Sequence, residues 1–144
     1  MILLSPELRT ALRANDRRHR AAGDGGQAES WNETHGSFDP LPVVKFFNPV
    51  GAATWLATEL DEDGDTLFGL ADLGFGTPEL GCFSLSELAG IRLPYRLGIE
   101  RDTGFATTHR ISVWAEWARR AGSILWAETL LRRAAANELP SMGG

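Results

Sequence analysis

The sequence predicts an α+β fold: a small antiparallel sheet of about four to five strands in a meander, covered by C-terminal helices, with an N-terminal helix and a flexible linker before it. Three observations predict it. Thr54 to Leu60 and Thr66 to Asp72 read as strands around the acidic turn DEDGD. A further strand-like run, ELGCFS, follows the Gly-rich loop Leu73 to Pro78. From Ile111 to Leu139 the apolar spacing becomes helical.

Composition sets the bounds. The chain has 144 residues, 43% apolar and 23% charged, which suits one globular domain with a sizeable core. No run approaches the roughly 18 apolar residues of a membrane span, and the start MILLSPELR is too polar for a secretory signal, so a cytoplasmic protein is expected. The single cysteine, Cys82, leaves no internal disulfide or multi-cysteine zinc site.

In order along the chain, Ser5-Pro6-Glu7 reads as a helix start, with Ser5 as N-cap and Glu7 at the positive end of the dipole. Residues 1–20 form this basic helix, residues 21–40 are turn-rich and read as a flexible linker pinned by Trp31 and Phe38, and residues 41–144 form the α+β domain with a helical extension. Pro42 to Asn48 alternates as a strand. Ser84 to Glu87 matches a capping box for a short helix closed by Gly90, and Pro94 to Arg101 reads as another strand with Tyr95, Leu97 and Ile99 on one face. Trp114, Trp117, Ala121 and Ile124 or Leu125 form the stripe that covers the sheet. Gly122 stops that helix and Ser123 caps the next. Trp126, Leu130 and Leu131 of the second helix form another apolar stripe, which is left exposed for a partner or a homodimer if that helix has no sheet left to cover.

The hairpin at Gly64 supplies the site candidates. If Leu60 pairs with Leu67, Glu59 falls opposite Phe68, Ala57 opposite Leu70 and Trp55 opposite Asp72, so Glu59 and Asp72 share one face. A carboxylate among apolar neighbours must find donors, take a proton or bind a cation. The bland alternative is a solvated sheet face on which Trp55 and Phe68 are cross-strand partners. With Glu79 on the next strand, Glu59 and Asp72 could hold Mg²⁺ or Mn²⁺ for phosphodiester cleavage, with Arg92, Arg96, Arg101 or His109 facing the phosphate.

Other chemistry matches poorly. A calcium loop wants Gly where the chain has Thr66 and Glu where it has Asp72. The glycines at 74 and 76 lead into a strand with no lysine, unlike a phosphate cradle. The three histidines are scattered and no GxSxG is present.

Charge is unevenly spread within a net −5. Residues 1–22 carry +3, residues 59–102 carry −7 and residues 110–133 carry +3. Arg9, Arg13, Arg17 and Arg20 recur on one helix face, which could meet phosphates or simply be solvated. The acidic middle, with Asp61, Glu62, Asp63 and Asp65 at its turn, could imitate a phosphate backbone.

The strings VVKFFNPVGAATWLATELD, FGLADLG, PELGCFSLSEL and GIERD, with LLSPELRTALRAN at the start, resemble an uncharacterised domain family found on bacterial plasmids, integrative elements and phages. Some members carry the label single-stranded DNA endonuclease. The likeness covers residues 3–15 and 41–121, and matches at Trp55, Thr58, Glu59, Phe68, Glu79, Gly81, Ser84, Glu100, Arg101 and Asp102. It implies a mobile-element setting and establishes no reaction.

Two functions are therefore expected. One is an accessory protein that needs no cofactor and binds a host nucleic-acid-processing or defence protein, through Asp61, Glu62, Asp63, Asp65, Trp55 and Arg101, with Arg9, Arg13, Arg17 and Arg20 as nucleic-acid contacts. The alternative is a single-stranded DNA endonuclease using Glu59, Asp72 and Glu79 with Mg²⁺ or Mn²⁺.

Overall fold

Alternating apolar residues make both faces of the central strands cohesive, and the computed structural model, which describes residues 2–22 and 38–137, buries both. The elements are α1 (Pro6–Ala22), β1 (Val44–Phe47), β2 (Thr54–Leu60), β3 (Thr66–Asp72), β4 (Glu79–Ser84), α2 (Leu85–Gly90), β5 (Glu100–Arg101), α3 (Ile111–Ala121) and α4 (Ile124–Asn137). The sheet order is β4-β3-β2-β1-β5, with every neighbouring pair antiparallel. No helix among the described residues is long and apolar enough to cross a membrane.

Two cores flank the sheet. Leu3, Leu4 and Leu12, from α1 and its approach, pack with Phe46, Trp55, Ala57, Leu60 and Leu67 on one face. Ile111, Trp114, Ala118, Ile124, Ala127 and Leu131 pack with Leu56 and Leu70 on the other. All of β2 is consequently buried, so the solvated sheet face is corrected to a covered one. Each large apolar side chain so buried contributes about 1.5–3 kcal/mol. The helix expected as a separate N-terminal segment is thus one wall of the core.

The uncovered stripe on the last helix is corrected too. Leu131 belongs to the second core, because α4 still has sheet to cover. Trp126 stays half exposed, with the Arg133 guanidinium 5.8 Å from its ring centroid.

The hairpin register holds at Leu60–Leu67 and Glu59–Phe68, then shifts. Thr58 is an extra residue, so Ala57 pairs with Gly69, and Asp72 pairs with Thr54 where Trp55 was expected. Glycine at 69 is required by close approach: a Cβ there would lie 1.9 Å from the Leu56 carbonyl oxygen. The Thr58 hydroxyl donates to the Phe68 carbonyl at 3.1 Å and fixes the bulge.

β1 stops short of β2's far end, which leaves carbonyls needing donors. Pairing ends at Val44–Ala57, with the Val43 N–H on the Ala57 carbonyl at 2.8 Å. Beyond it the α1 side chains take over. Asn15 donates to the Thr58 carbonyl at 3.0 Å and Arg13 to the Leu60 carbonyl at 2.7 Å. Arg9 donates to the Gly64 carbonyl at 3.1 Å. Of the basic stripe, Arg13 therefore closes the edge of β2 and Arg9 the hairpin turn.

Helix ends follow their capping residues. The Ser5, Ser84 and Ser123 hydroxyls accept from the N–H groups of Leu8, Glu87 and Trp126 at 3.2, 3.1 and 3.0 Å. Gly122 ends α3 at φ 86°. Asp39 caps α3 from outside, its carboxylate accepting the Ser112 N–H at 3.0 Å and the Ser112 hydroxyl. Of the expected linker, residues 23–37, including Trp31, lie outside the described residues, while Phe38 stacks on His19 with ring centroids 5.7 Å apart.

The strand expected from Pro94 to Arg101 is shorter. Pro94, with no N–H to give a ladder, opens a tight turn in which Leu97 N–H meets the Pro94 carbonyl at 3.3 Å. Tyr95 and Arg96 sit at φ 63° and 60°. Leu97 makes a single bridge to Leu93, and only Glu100 and Arg101 join the sheet, pairing with Phe47 and Phe46.

Candidate functional site: a polar cleft with an apolar rim

The two buried carboxylates take their partners at the two ends of the β2–β3 ribbon. Glu59 is 3% exposed and its Oε1 lies 2.7 Å from His19 Nδ1 of α1. Asp72 is fully buried at the opposite end of the ribbon, where Oδ2 accepts the Ile124 N–H of α4 at 2.9 Å and Oδ1 the Gly74 N–H at 2.8 Å. Glu59, opposite Phe68, and Asp72 lie on the sheet face that carries Leu56 and Leu70, but at opposite ends of the ribbon and with different partners. Glu79 pairs with Ala71 and is exposed on β4. Glu59 and Asp72 thus share a face as expected, while Glu79, opposite Ala71, falls on the other; the separate partners of the first two at the two ends of the ribbon keep the three from meeting. Among the described residues no three His, Cys, Asp or Glu side chains group closely enough to hold a metal ion.

The acidic turn is largely engaged by its own hydrogen bonds. Asp61 meets Arg20. Asp63 accepts the N–H groups of Asp65 and Thr66, both at 2.8 Å, and the Thr66 hydroxyl at 2.7 Å. Asp65 accepts the Ser84 hydroxyl at 2.7 Å and the Ser86 N–H at 2.8 Å. These donors hold both carboxyls below the usual range: for Asp63 the Thr66 amide counts most, for Asp65 the Ser84 hydroxyl. Glu62 is left exposed and Arg17 stays exposed on α1. Arg20 also binds Asp16 at 2.9 Å, and that hydrogen bond raises its pKa.

Two other expected contact residues face inward. Trp55 is buried in the first core, and Arg101 donates to the Leu3 carbonyl at 2.9 Å and the Ile2 carbonyl at 3.1 Å, anchoring the approach to α1. Partial burial, then the charges of Glu59 and Asp61, push the Cys82 thiol up, which disfavours a thiolate at neutral pH.

At the other end of the sheet lies a cleft of about 570 Å³ whose walls include Lys45, Phe47, Asn48, Thr54, Glu100, Asp102, Thr103 and Leu125. Local chemistry builds it. Asn48 ends β1 by accepting the Val50 N–H on its own Oδ1 at 2.8 Å, and its N–H reaches the Ala53 carbonyl at 3.0 Å, closing the turn. The Asp102 N–H on the Lys45 carbonyl at 2.9 Å holds β5's continuation against β1.

Lys45 is buried and its charge must be met. Its Nζ lies 2.8 Å from Glu128 Oε1 and 3.6 Å from Asp102 Oδ2. This triad joins β1, the segment after β5, and α4. Its sequence signal was one lysine in an otherwise apolar strand, with partners far along the chain.

The rim of this end is apolar. Val50 in the β1–β2 turn, Leu73 and Phe75 in the β3–β4 loop, and Leu125 and Trp126 in the first turn of α4 are all exposed, Phe75 by 82%. Loop and turn are neighbours, since a Cβ on Gly74 would lie 3.7 Å from the Ala52 methyl. The Asp72–Ile124 hydrogen bond draws α4's first turn to the same end. Two strings that carry the family resemblance, KFFNPVGAAT and IERD, meet around the cleft.

Comparison with known proteins agrees with the reading of an uncharacterised family. The chain matches the family described as "Protein of unknown function (DUF2958)" over residues 3–125, and belongs to it. No curated protein and no solved structure matches.

Proposed function

We propose that this member of the family is a cytoplasmic accessory protein of a mobile element that binds a host protein engaged in nucleic-acid processing or defence. The mobile-element setting rests on the resemblance described above. The observation that carries the binding reading is the exposure of Val50, Leu73, Phe75, Leu125 and Trp126 at one end of the sheet, with Leu125 also lining the polar cleft there. Exposed aromatic and aliphatic groups around a polar centre are what a protein contact uses. The acidic turn gives less support as a phosphate mimic, because Asp61, Asp63 and Asp65 are tied to Arg20, Thr66 and Ser84.

Capture from a host lysate tests this. Phe75→Asp with Trp126→Asp should abolish capture of the partner, while Asp61→Asn with Glu62→Gln should leave it. Capture unaffected by the first pair and lost with the second would return the contact to the acidic turn.

Single-stranded DNA cleavage is the second reading. What favours it is the polar cleft itself, where Lys45 and Asp102 lie among the strings of the resemblance. Purified protein with single-stranded DNA and Mg²⁺ or Mn²⁺ tests it: cleavage lost in both Lys45→Met and Asp102→Asn supports an enzyme, and absence of cleavage removes that reading.

A further inference from the structure

We propose that β4 is a self-pairing edge, through which two copies of this chain join their sheets antiparallel about a twofold axis at Gly81. This goes beyond the binding reading and does not depend on it.

Backbone hydrogen bonding along β4 points to this pairing. Among the described residues, β4 is the outer strand of the sheet and pairs with β3 alone. The Leu85 N–H on the Asp65 carbonyl at 2.9 Å sets the alternation along the ladder. Glu79, Gly81 and Phe83 therefore turn their backbone groups toward β3, while Leu80 and Cys82 turn theirs outward.

Proteins shield such edges with lysine, proline, a bulge or a covering element. The run ELGCFS has neither lysine nor proline, and its pairing with β3 is regular from Thr66–Ser84 to Ala71–Glu79.

The pattern is self-complementary. With two copies antiparallel about Gly81, Leu80 of each meets Cys82 of the other, and each such pair exchanges both N–H and C=O groups. Gly81 faces Gly81 at the axis in a non-hydrogen-bonded pair, where strands approach to about 4.5 Å between Cα atoms. Among the described residues, a Cβ on Gly81 would meet nothing within 4 Å, so they leave the axis open. Glu79, the strand's one charge, falls opposite Phe83 of the other copy and meets no like charge. An open groove of about 230 Å³ beside the edge, lined by Leu73, Phe75 and Leu80 among others, gives the second strand's side chains a place to lie. A foreign strand would satisfy the same donors, but nothing on this edge selects its charge or sequence, whereas the copy fits by symmetry.

Light scattering after size exclusion tests the pairing. Wild type should rise with concentration from 15.7 kDa toward twice that mass. Gly81→Lys alone and Gly81→Glu alone should each stay at the mass of one chain, and an equimolar mixture should recover the doubled mass. Cys82→Pro, which removes an outward N–H and spares the bonds to β3, should also stay monomeric with an unchanged circular dichroism spectrum. It serves as the second probe if the Gly81 variants fold poorly. A wild type that keeps the mass of one chain at every concentration overturns the proposal. So do dimers that persist in Cys82→Pro, or a mixture of folded Gly81 variants that stays monomeric.

Discussion

Asp72, at the end of β3, accepts the backbone N–H of Ile124 at 2.9 Å and so fastens the first turn of α4 to the sheet from a fully buried position. A carboxylate at a helix N-terminus answers both the unmet donors and the positive end of the dipole. The same bond sets Leu125 and Trp126 beside the cleft, which makes Asp72 a positioning residue for the apolar rim.

Asp72→Ala should therefore cost about 2–4 kcal/mol, because two amides lose a charged acceptor in a buried place. Asp72→Asn should cost clearly less, since one amide oxygen can still accept. Urea unfolding of the two variants compares them directly.

Gly69→Ala should fail to reach the native register. The added methyl would sit 1.9 Å from the Leu56 carbonyl oxygen, on backbone that cannot step aside. A loss of at least about 3 kcal/mol, or no folded protein, is expected in thermal unfolding.

At Tyr95 and Arg96 the opposite holds. Consecutive left-handed residues suit Asn-Gly, and the 86% exposed Tyr95 gives up no core contact. Tyr95→Asn with Arg96→Gly should stabilise by about 1–2 kcal/mol, which calorimetry would record as a Tm increase of a few degrees.

Acid sensitivity should trace in part to the acidic turn. Asp63 and Asp65 titrate below the ordinary 3.8 when folded, so the stability they add is present above that pH and is lost as pH falls through their lowered values. Asp65→Asn should be less stable than wild type at neutral pH and should lose less between pH 4 and the acid limit, as pH-dependent urea midpoints would report.

The hairpin at Gly64, the Ser84 cap and the Gly122-Ser123 break were legible in the sequence because each depends on neighbours within a few residues. The bulge was not. Thr58 looks like any strand residue, and only Gly69, ten or so positions on, hints that two backbones come close. The role of Arg9 and Arg13 was hidden for a similar reason: helical spacing shows that they share a face, but not that β1 ends early and leaves the Leu60 carbonyl to Arg13, nor that the hairpin turn brings the Gly64 carbonyl to Arg9. The cleft was hidden because Lys45, Asp102 and Glu128 meet only after the sheet and α4 have assembled.

The central claim is that the end of the sheet bearing Lys45, Phe75 and Trp126 is where a protein partner sits. Amide hydrogen exchange of the isolated protein against its complex with the captured partner tests it most directly. Slowed exchange is expected in residues 48–54, 73–79 and 124–127, with residues 61–66 unchanged. Slowing confined to residues 61–66 would contradict it.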